Sequence, residues 1–437
     1  MYFVLKNFWA DNQPPQLATN MRLRDKTRRR IARTVLAVFG WAPIVLLIIA
    51  AFFIHSQTYI EWSESALTNA LEMQVNFESF ECPRWDTSRF GRVTLSDPET
   101  GVPILKCAQL EVEHQHTKTP IPLLRIRLRD CKVYMDNSTS LWYFVQRSFA
   151  HRRLWKNMQV EFSAANIRFD NCNSQTIRFM SGSLNDITDG AEGIFAIYFE
   201  DKLNKDSNLS ESNEPVRLKI TRMKNTSPAT TTIAIDASKH PLSTEIISHW
   251  HAPIKRLGSH SHFCGTILAT NSGYGWDGTV TGNFDNVDLS QIFVKAGKSQ
   301  CSAVASITIS HGEFIDQRLV AAQGSVNAQN GMIDRSLMDS LITHLHLSGA
   351  GMFNNYYNVT PFKQLAFNYK LQNEMIAISG TCNSCPPGVI LNGAFPLIRE
   401  PLNPENKAPV SMAMKLFSPG NSQQYIQIAQ PDTTTSR

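Results

Sequence analysis

Three hydrophobic patterns follow one another along this chain. From Thr34 to Ile54 the sequence TVLAVFGWAPIVLLIIAAFFI carries no charge. About 20 apolar helical residues cross a hydrocarbon core of about 30 Å, so the run predicts one transmembrane helix over 34–54. From Ser63 to Val75 the period is helical: Ala66, Leu67, Ala70, Leu71 and Met73 fall on one side, behind Ser63 as a capping residue. Beyond that point the period drops to two. Val93 and Leu95 alternate with Arg92 and Thr94, Leu110 and Val112 with Glu111 and Glu113, and Ile126 and Leu128 with Arg125, Arg127 and Arg129. Ile167 and Phe169 flank Arg168, and Ile177 and Phe179 flank Arg178. Such alternation predicts strands with one buried and one wet face. SDPETG, Ser96 to Gly101, predicts a tight turn between antiparallel neighbours.

The alternation resumes in GTILAT, WDGTVTGNFDNVDL, ASITIS, LVAAQGSVNAQNG, QLAFNYKL and EMIAISGTC. In ASITIS, Ile307 and Ile309 share a face with Ala305. A helix is predicted over Asp334–His346, with Leu337, Met338, Leu341, Ile342 and Leu345 on one side. The stretch 138–157 breaks the pattern and reads as a helix or an amphipathic loop. The fold class is therefore mainly β: a single transmembrane helix, then a long, curved, mostly antiparallel sheet with a few covering helices. The expected organisation is a basic segment 1–33, the span 34–54 and a β-rich region 55–240. A His/Pro-rich connecting loop 241–262, a second β-rich region 263–399 and an irregular tail 400–437 follow. Apolar strands ending VTLSDP, IRLRD, VYMDN and IRFDN repeat weakly, which predicts a sheet that grows by like units.

Charge orients this arrangement. Arg22, Arg24, Lys26, Arg28, Arg29, Arg30 and Arg33 precede the span against Asp25 alone, while Glu61, Glu64, Glu72, Glu78 and Glu81 follow it before any basic residue. The positive-inside rule then predicts a cytoplasmic N-terminus and an exported remainder. The apolar run exceeds the roughly 7–15 residues of a signal-peptide core, which favours an uncleaved anchor. Met21 opens a more typical anchor than Met1, so either serves as the start. The formal net charge of +5 is concentrated in the basic flank, leaving the exported part close to neutral. That excludes nucleic acid as a partner, because binding it needs a basic face.

Candidate chemistry is sparse. Cys382 and Cys385 form a C-x-x-C, read as a local disulfide in preference to a redox pair or half a zinc site. His249, His251, His260 and His262 form two H-x-H pairs whose spacing fits no zinc pattern, so no metal and no cofactor are expected. Nucleophile-elbow, zincin, P-loop and dinucleotide-binding motifs are absent, and the chain is read as a non-enzyme. Arg152, Arg153, Trp155 and Lys156 form a basic-aromatic stretch suited to a membrane surface.

RVTLSDPETGVPILKCAQLEVEH, with Leu95, Asp97, Pro98, Ala108, Leu110 and Val112, resembles the N-terminal region of the AsmA-like family. GTVTGNFDNVDLSQIF resembles its C-terminal region through Gly282, Phe284, Val287, Asp288 and Leu289, as does the following stretch through Gly324, Gly331, Ile333 and Leu337. The resemblance implies a protein of the inner (cytoplasmic) membrane with its bulk in the periplasm, acting in envelope biogenesis. It implies partners among membrane lipids and other envelope proteins, and a curved sheet forming an apolar groove that binds or conveys lipids. Independently, a sheet with one apolar face must cover it with another sheet, helices or a ligand. Ile126, Leu128, Ile167, Phe169, Ile307 and Ile309 are the candidates for the groove lining. The alternative is an anchored scaffold or interaction module with a closed β-sandwich core.

Overall fold

The computed structural model describes residues 25–41, 44–46, 48, 52 and 56–416, except 116–121, 136–141, 143–144, 147–148, 150–157, 171, 173–174, 202–213, 250–251, 274, 296–297, 317, 350–357, 384 and 404–406. The chain divides into two compact units, Met1–Trp62 and Ser63–Arg437.

In the first unit, helix α1 (Asp25–Leu36) runs into a π-helical turn, Ala37–Trp41. Val35, Leu36, Val38, Trp41, Leu46 and Phe52 are all exposed. Among the described residues no helix is long and apolar enough to cross a membrane. Part of the expected span 34–54 lies outside the described residues. Helix α2 (Gln57–Leu71) includes the unit boundary and starts about two turns earlier than the apolar spacing predicts, because Ser56 rather than Ser63 caps it: its Oγ accepts from Tyr59 N at 3.3 Å. It stops where Glu72 takes a left-handed φ of 54°.

The second unit is built on one 21-stranded sheet. Its strands in chain order begin with β1 (Gln74–Asn76), β2 (Ser79–Arg84), β3 (Thr87–Ser96), β4 (Pro103–Gln115) and β5 (Leu123–Val133). There follow β6 (Gln159–Phe169), β7 (Gln175–Ile187), β8 (Gly190–Asp201), β9 (Val216–Met223) and β10 (Thr230–Asp236). Then come β11 (Leu242–Ser243), β12 (His262–Asn271) and β13 (Trp276–Asp288), with β14 (Val294–Lys295) and β15 (Lys298–Ser299) forming a separate ribbon. β16 (Cys301–Ile315), β17 (Arg318–Asp334), β18 (Ser348–Gly349), β19 (Val359–Gln372) and β20 (Met375–Gly380) continue the sheet. β21 (Val389–Asn392), β22 (Pro396–Arg399) and β23 (Ala408–Pro409) finish it.

Neighbours in sequence are mostly neighbours in space. From β3 to β10 and from β12 to β20 the long strands form an antiparallel meander, and β10 pairs β12 to join the two series into one sheet. Among the described residues the exception is β5–β6, which pair in parallel. The connection between them brings Phe149 onto one face of the sheet, where it is buried against Leu124, Val160, Ala191 and Ile220.

Alternation is interrupted in a regular way. Arg92 in β3, Asp130 in β5 and Asn166 in β6 take φ values of 51°, 50° and 57°. They lie in register across the strands, and Asn166 Nδ2 donates to Asp130 Oδ1 at 3.0 Å. This row skips one residue on every strand, so the register is kept while the buried face of each strand reverses parity. In β5 the apolar face passes from Leu124, Ile126 and Leu128 to Cys131 and Val133. Asn286 in β13 and Asn330 in β17 take φ of 57° and 54° at register shifts against β16, where the extra residue makes a bulge. Asparagine and aspartate tolerate this region because their short polar side chains bond locally. The expectation that Ile177 and Phe179 share a face fails without a left-handed residue. A register shift falls between them, leaving Ile177 buried at 5% and Phe179 exposed at 40%.

The wet face of the first strands is a cross-strand ion ladder. Arg89 meets Glu111 at 3.4 Å and Arg127 meets Glu111 at 2.9 Å and Glu113 at 3.1 Å. Arg125 meets Glu113 at 3.6 Å and Glu161 at 2.9 Å. Opposite charges facing across strands fix the register that puts Ile126 and Leu128 on the other face.

Two expectations about irregular segments are corrected. The stretch 241–262 is not simply a loop: it holds β11, helix α3 (Thr244–Ser248) and a 3₁₀ turn, Ala252–Leu257. Ser243 caps α3 through Glu245 N, and Gln175 pins the segment to β7 by accepting from Ser243 N at 2.8 Å. Within the stretch 400–437, β23 pairs β20 and a short helix at Val410–Met414 buries Ala413; 417–437 lies outside the described residues. Helix α4 (Leu289–Ile292) is capped by Asp288. The helix expected over 334–346 is α5 (Arg335–Leu345), capped by Asp334 and ended by His346 in the left-handed region. The Val410–Met414 helix is α6.

Candidate functional site

One line of directly paired residues crosses the second unit at right angles to its strands. It runs Val112–Ile126–Phe162–Gly182–Phe195–Leu218–Ile235–Ile267–Val280–Gly312–Ala322–Leu371–Ile376, one residue from each of β4 to β10, β12, β13, β16, β17, β19 and β20. Every member is apolar or glycine, and paired residues share a face. Twelve steps of about 4.8 Å make a path of roughly 58 Å, longer than a bilayer core of about 30 Å. From Val112 to Val280 the members are half-buried, neither sealed nor in open water. A second line, Leu124–Val160–Leu184–Gly193–Ile220–Ile233–Ala269–Gly278–Phe314–Leu319, runs beside it. The two lines form an apolar floor. Glycines let rings lie flat on it: a Cβ at Gly182 or Gly193 would run into the Phe195 ring. Phe162 and Phe195 meet edge to face at 6.1 Å.

At the β4–β6 end the floor leads to a cavity of about 150 Å³, lined only by apolar side chains that include Met73, Leu105, Leu128, Phe162, Ile167 and Met180. Its wall also contains Cys131, joined to the directly opposite Cys107 in a disulfide between β4 and β5. Eight cysteines left this pairing open in the sequence; the register across β4 and β5 selects it.

The six proposed lining residues fall on this same apolar face. Ile126 belongs to the long line, and Leu128 and Ile167 line the cavity. Phe169 packs beside Ile167 beyond Asn166, Ile307 packs against the C-terminal core, and Ile309 is half-buried opposite Gly282 and Gly324. Among the half-buried members the single-strand pattern missed Phe195, Leu218, Ile235 and Ile267, which belong to the floor through their register with distant strands. Arg152, Arg153, Trp155 and Lys156 lie outside the described residues.

The expected Cys382–Cys385 bridge is not formed in the structure. Both are free thiols, Cys382 Sγ donating to Ile390 O at 3.2 Å and Cys385 Sγ to Asn383 O at 3.3 Å. The Cys382 side chain is turned to the β21 backbone instead of its neighbour. Burial pushes the Cys382 and Cys264 thiols up, and Cys301 up to about 11. Reactive thiols are shifted the other way. His249 Nδ1 is bonded to Glu245 O at 2.8 Å, His262 is within β12, and His251 lies outside the described residues. Among the described residues no three His, Cys, Asp or Glu side chains are grouped to hold a metal.

A larger cleft, about 600 Å³, includes Thr308, Ser310, Gln323, Ser325, Asn368 and Lys370. By strand alternation Thr308 points away from Ile307 and Ile309. Two of its hydroxyls are already engaged, Thr308 Oγ1 with Asn283 Oδ1 at 3.0 Å and Ser310 Oγ with Gln323 O at 2.9 Å. Size alone favours this cleft, but the smaller apolar cavity has the more distinctive chemistry. The chain matches no family model and no curated protein.

Proposed function

We propose that this protein is a membrane-tethered, AsmA-like, non-catalytic factor of envelope biogenesis that binds or conveys lipid along the apolar floor of its sheet. The observation that carries the reading is the apolar line from Val112 to Ile376, which is half-buried over its stretch from Val112 to Val280. A sealed core would bury it and a solvated face would be polar. Acyl chains match a long, narrow, uncharged floor, and each buried methylene contributes about 0.8 kcal/mol. The exposed side chains around Val35–Trp41 and Leu46–Phe52 call for a cover of lipid or protein, which supports the anchor over 34–54. The Cys107–Cys131 disulfide supports an oxidising compartment such as the periplasm.

A scaffold with a closed core is the second reading, and the tightly sealed C-terminal cluster around Leu337, Leu391 and Ile398 favours it. The full chain purified in mild detergent separates the two. Native mass spectrometry should show bound lipid, and the protein should take up a fluorescent phospholipid. Ile126→Trp should abolish uptake with little change in melting temperature. Absence of lipid together with unfolding of Ile126→Trp would overturn the groove in favour of the scaffold.

A further inference from the structure

We infer that the cavity between Met73, Leu128 and Ile167 is the blind end of the floor, and that it takes the methyl end of a single unbranched acyl chain, tail first. This rests on the reading of the floor as a lipid site and adds a direction and a stop to it.

The geometry supplies three arguments. Phe162 belongs to both the long line and the cavity wall, so floor and cavity are continuous. Leu105, Leu128, Cys131, Ile167 and Met180 close the wall without one free polar group, which excludes a headgroup and admits only hydrocarbon. A dry cavity of about 150 Å³ lined by such residues holds a benzene-sized group, or about six carbons. The far wall is fixed covalently by the disulfide of Cys131, and Met73, exposed only 2%, closes the cavity from the α2 side. The two methionines are the adaptable part of the lining. Polar groups of the ligand must therefore stay towards β7 and beyond.

The test uses the full chain in detergent and two fluorescent fatty acids, one labelled near the carboxyl group and one at the methyl end. The carboxyl-labelled probe should bind and the tail-labelled one should not. Affinity of the carboxyl-labelled series should rise about fourfold per added methylene until the cavity is full. Ile167→Trp should fill the cavity and so abolish that rise over the about six carbons the cavity holds. Met180→Trp is the second variant, and unchanged melting and circular dichroism show that either is folded. Equal binding of both probes, with Ile167→Trp and Met180→Trp indistinguishable from the parent, would refute the blind end and leave the groove standing. Failure of every probe to bind would remove the groove and the blind end together.

Discussion

The strands from β3 to β10 and those from β12 to β20 are alike in plan and unlike in cover. Each series has one apolar face, and each shifts parity at left-handed residues, Arg92, Asp130 and Asn166 in the first and Asn286 and Asn330 in the second. In the second series, α4, α5 and the β21–β22 hairpin seal that face around Leu289, Leu337, Leu391 and Ile398, all exposed 3% or less. The first series carries Phe149 over Leu124, Val160 and Ile220 but leaves a cavity at Leu128 and Ile167, beside the Cys107–Cys131 bridge. Their wet faces differ too. The first carries the Arg125–Arg127–Glu111–Glu113 ladder, the second a hydroxyl–amide cluster in which Ser306 and Thr308 donate to Asn283. The comparison teaches that strand pattern does not decide where a ligand can fit. What covers the pattern decides it.

The largest test of this contrast compares two leucines. Leu391→Ala in the sealed half should lose about 3–5 kcal/mol, since a fully buried leucine leaves an unrelaxed cavity. Leu128→Ala should lose only about 1–2 kcal/mol, because its side chain already borders empty space and is half-exposed. Urea denaturation measures both, and equal losses would erase the distinction between the halves.

Removing the disulfide should come next. Cys131→Ser opens a link across a sequence separation of 24, for which chain entropy gives about 3.5 kcal/mol. Hydrogen exchange should show protection lost first in β4 and β5, with β16, β17 and β19 unaffected. Uniform loss across the sheet would mean that the two series do not differ in local stability.

The smallest effect is on acid stability. The Ser238 hydroxyl and N–H donate to Asp236 at 2.6 and 3.1 Å and, with Arg217 and Lys239 nearby, hold its carboxyl below the usual range. A carboxyl lowered in the folded state contributes stability that is complete above about pH 4, its unfolded value, and is lost as pH falls through the lower folded value. Ser238→Ala removes the hydroxyl bond and keeps the N–H bond, so it should lower stability above about pH 4, leave it unchanged below the folded value, and thereby flatten the acid limb. An unaltered acid slope would show that Asp236 does not sense folding.

Much of this protein was legible before any coordinates. The alternation at Ile126, Leu128, Ile167, Phe169, Ile307 and Ile309 marked one apolar face, and the α5 pattern with Asp334 as its cap was found within a residue at each end. These signals are local: a period of two or of 3.6 is written in adjacent side chains. The disulfide, the pinned segment around Ser243 and the parity reversal between Ile177 and Phe179 were not legible, because each depends on a partner far away in sequence.

The amino-acid order by itself determined a mainly β chain with an uncharged N-terminal run, an oily side to its strands and a near-neutral balance of charge after that run. Only the tertiary structure decided that thirteen residues from thirteen strands stand in one line, and that this line meets an apolar cavity at one end. The reason is register. A one-residue slip of any strand turns its side chains over, and strand register is set by pairing, bulges and cross-strand charges that no single segment contains.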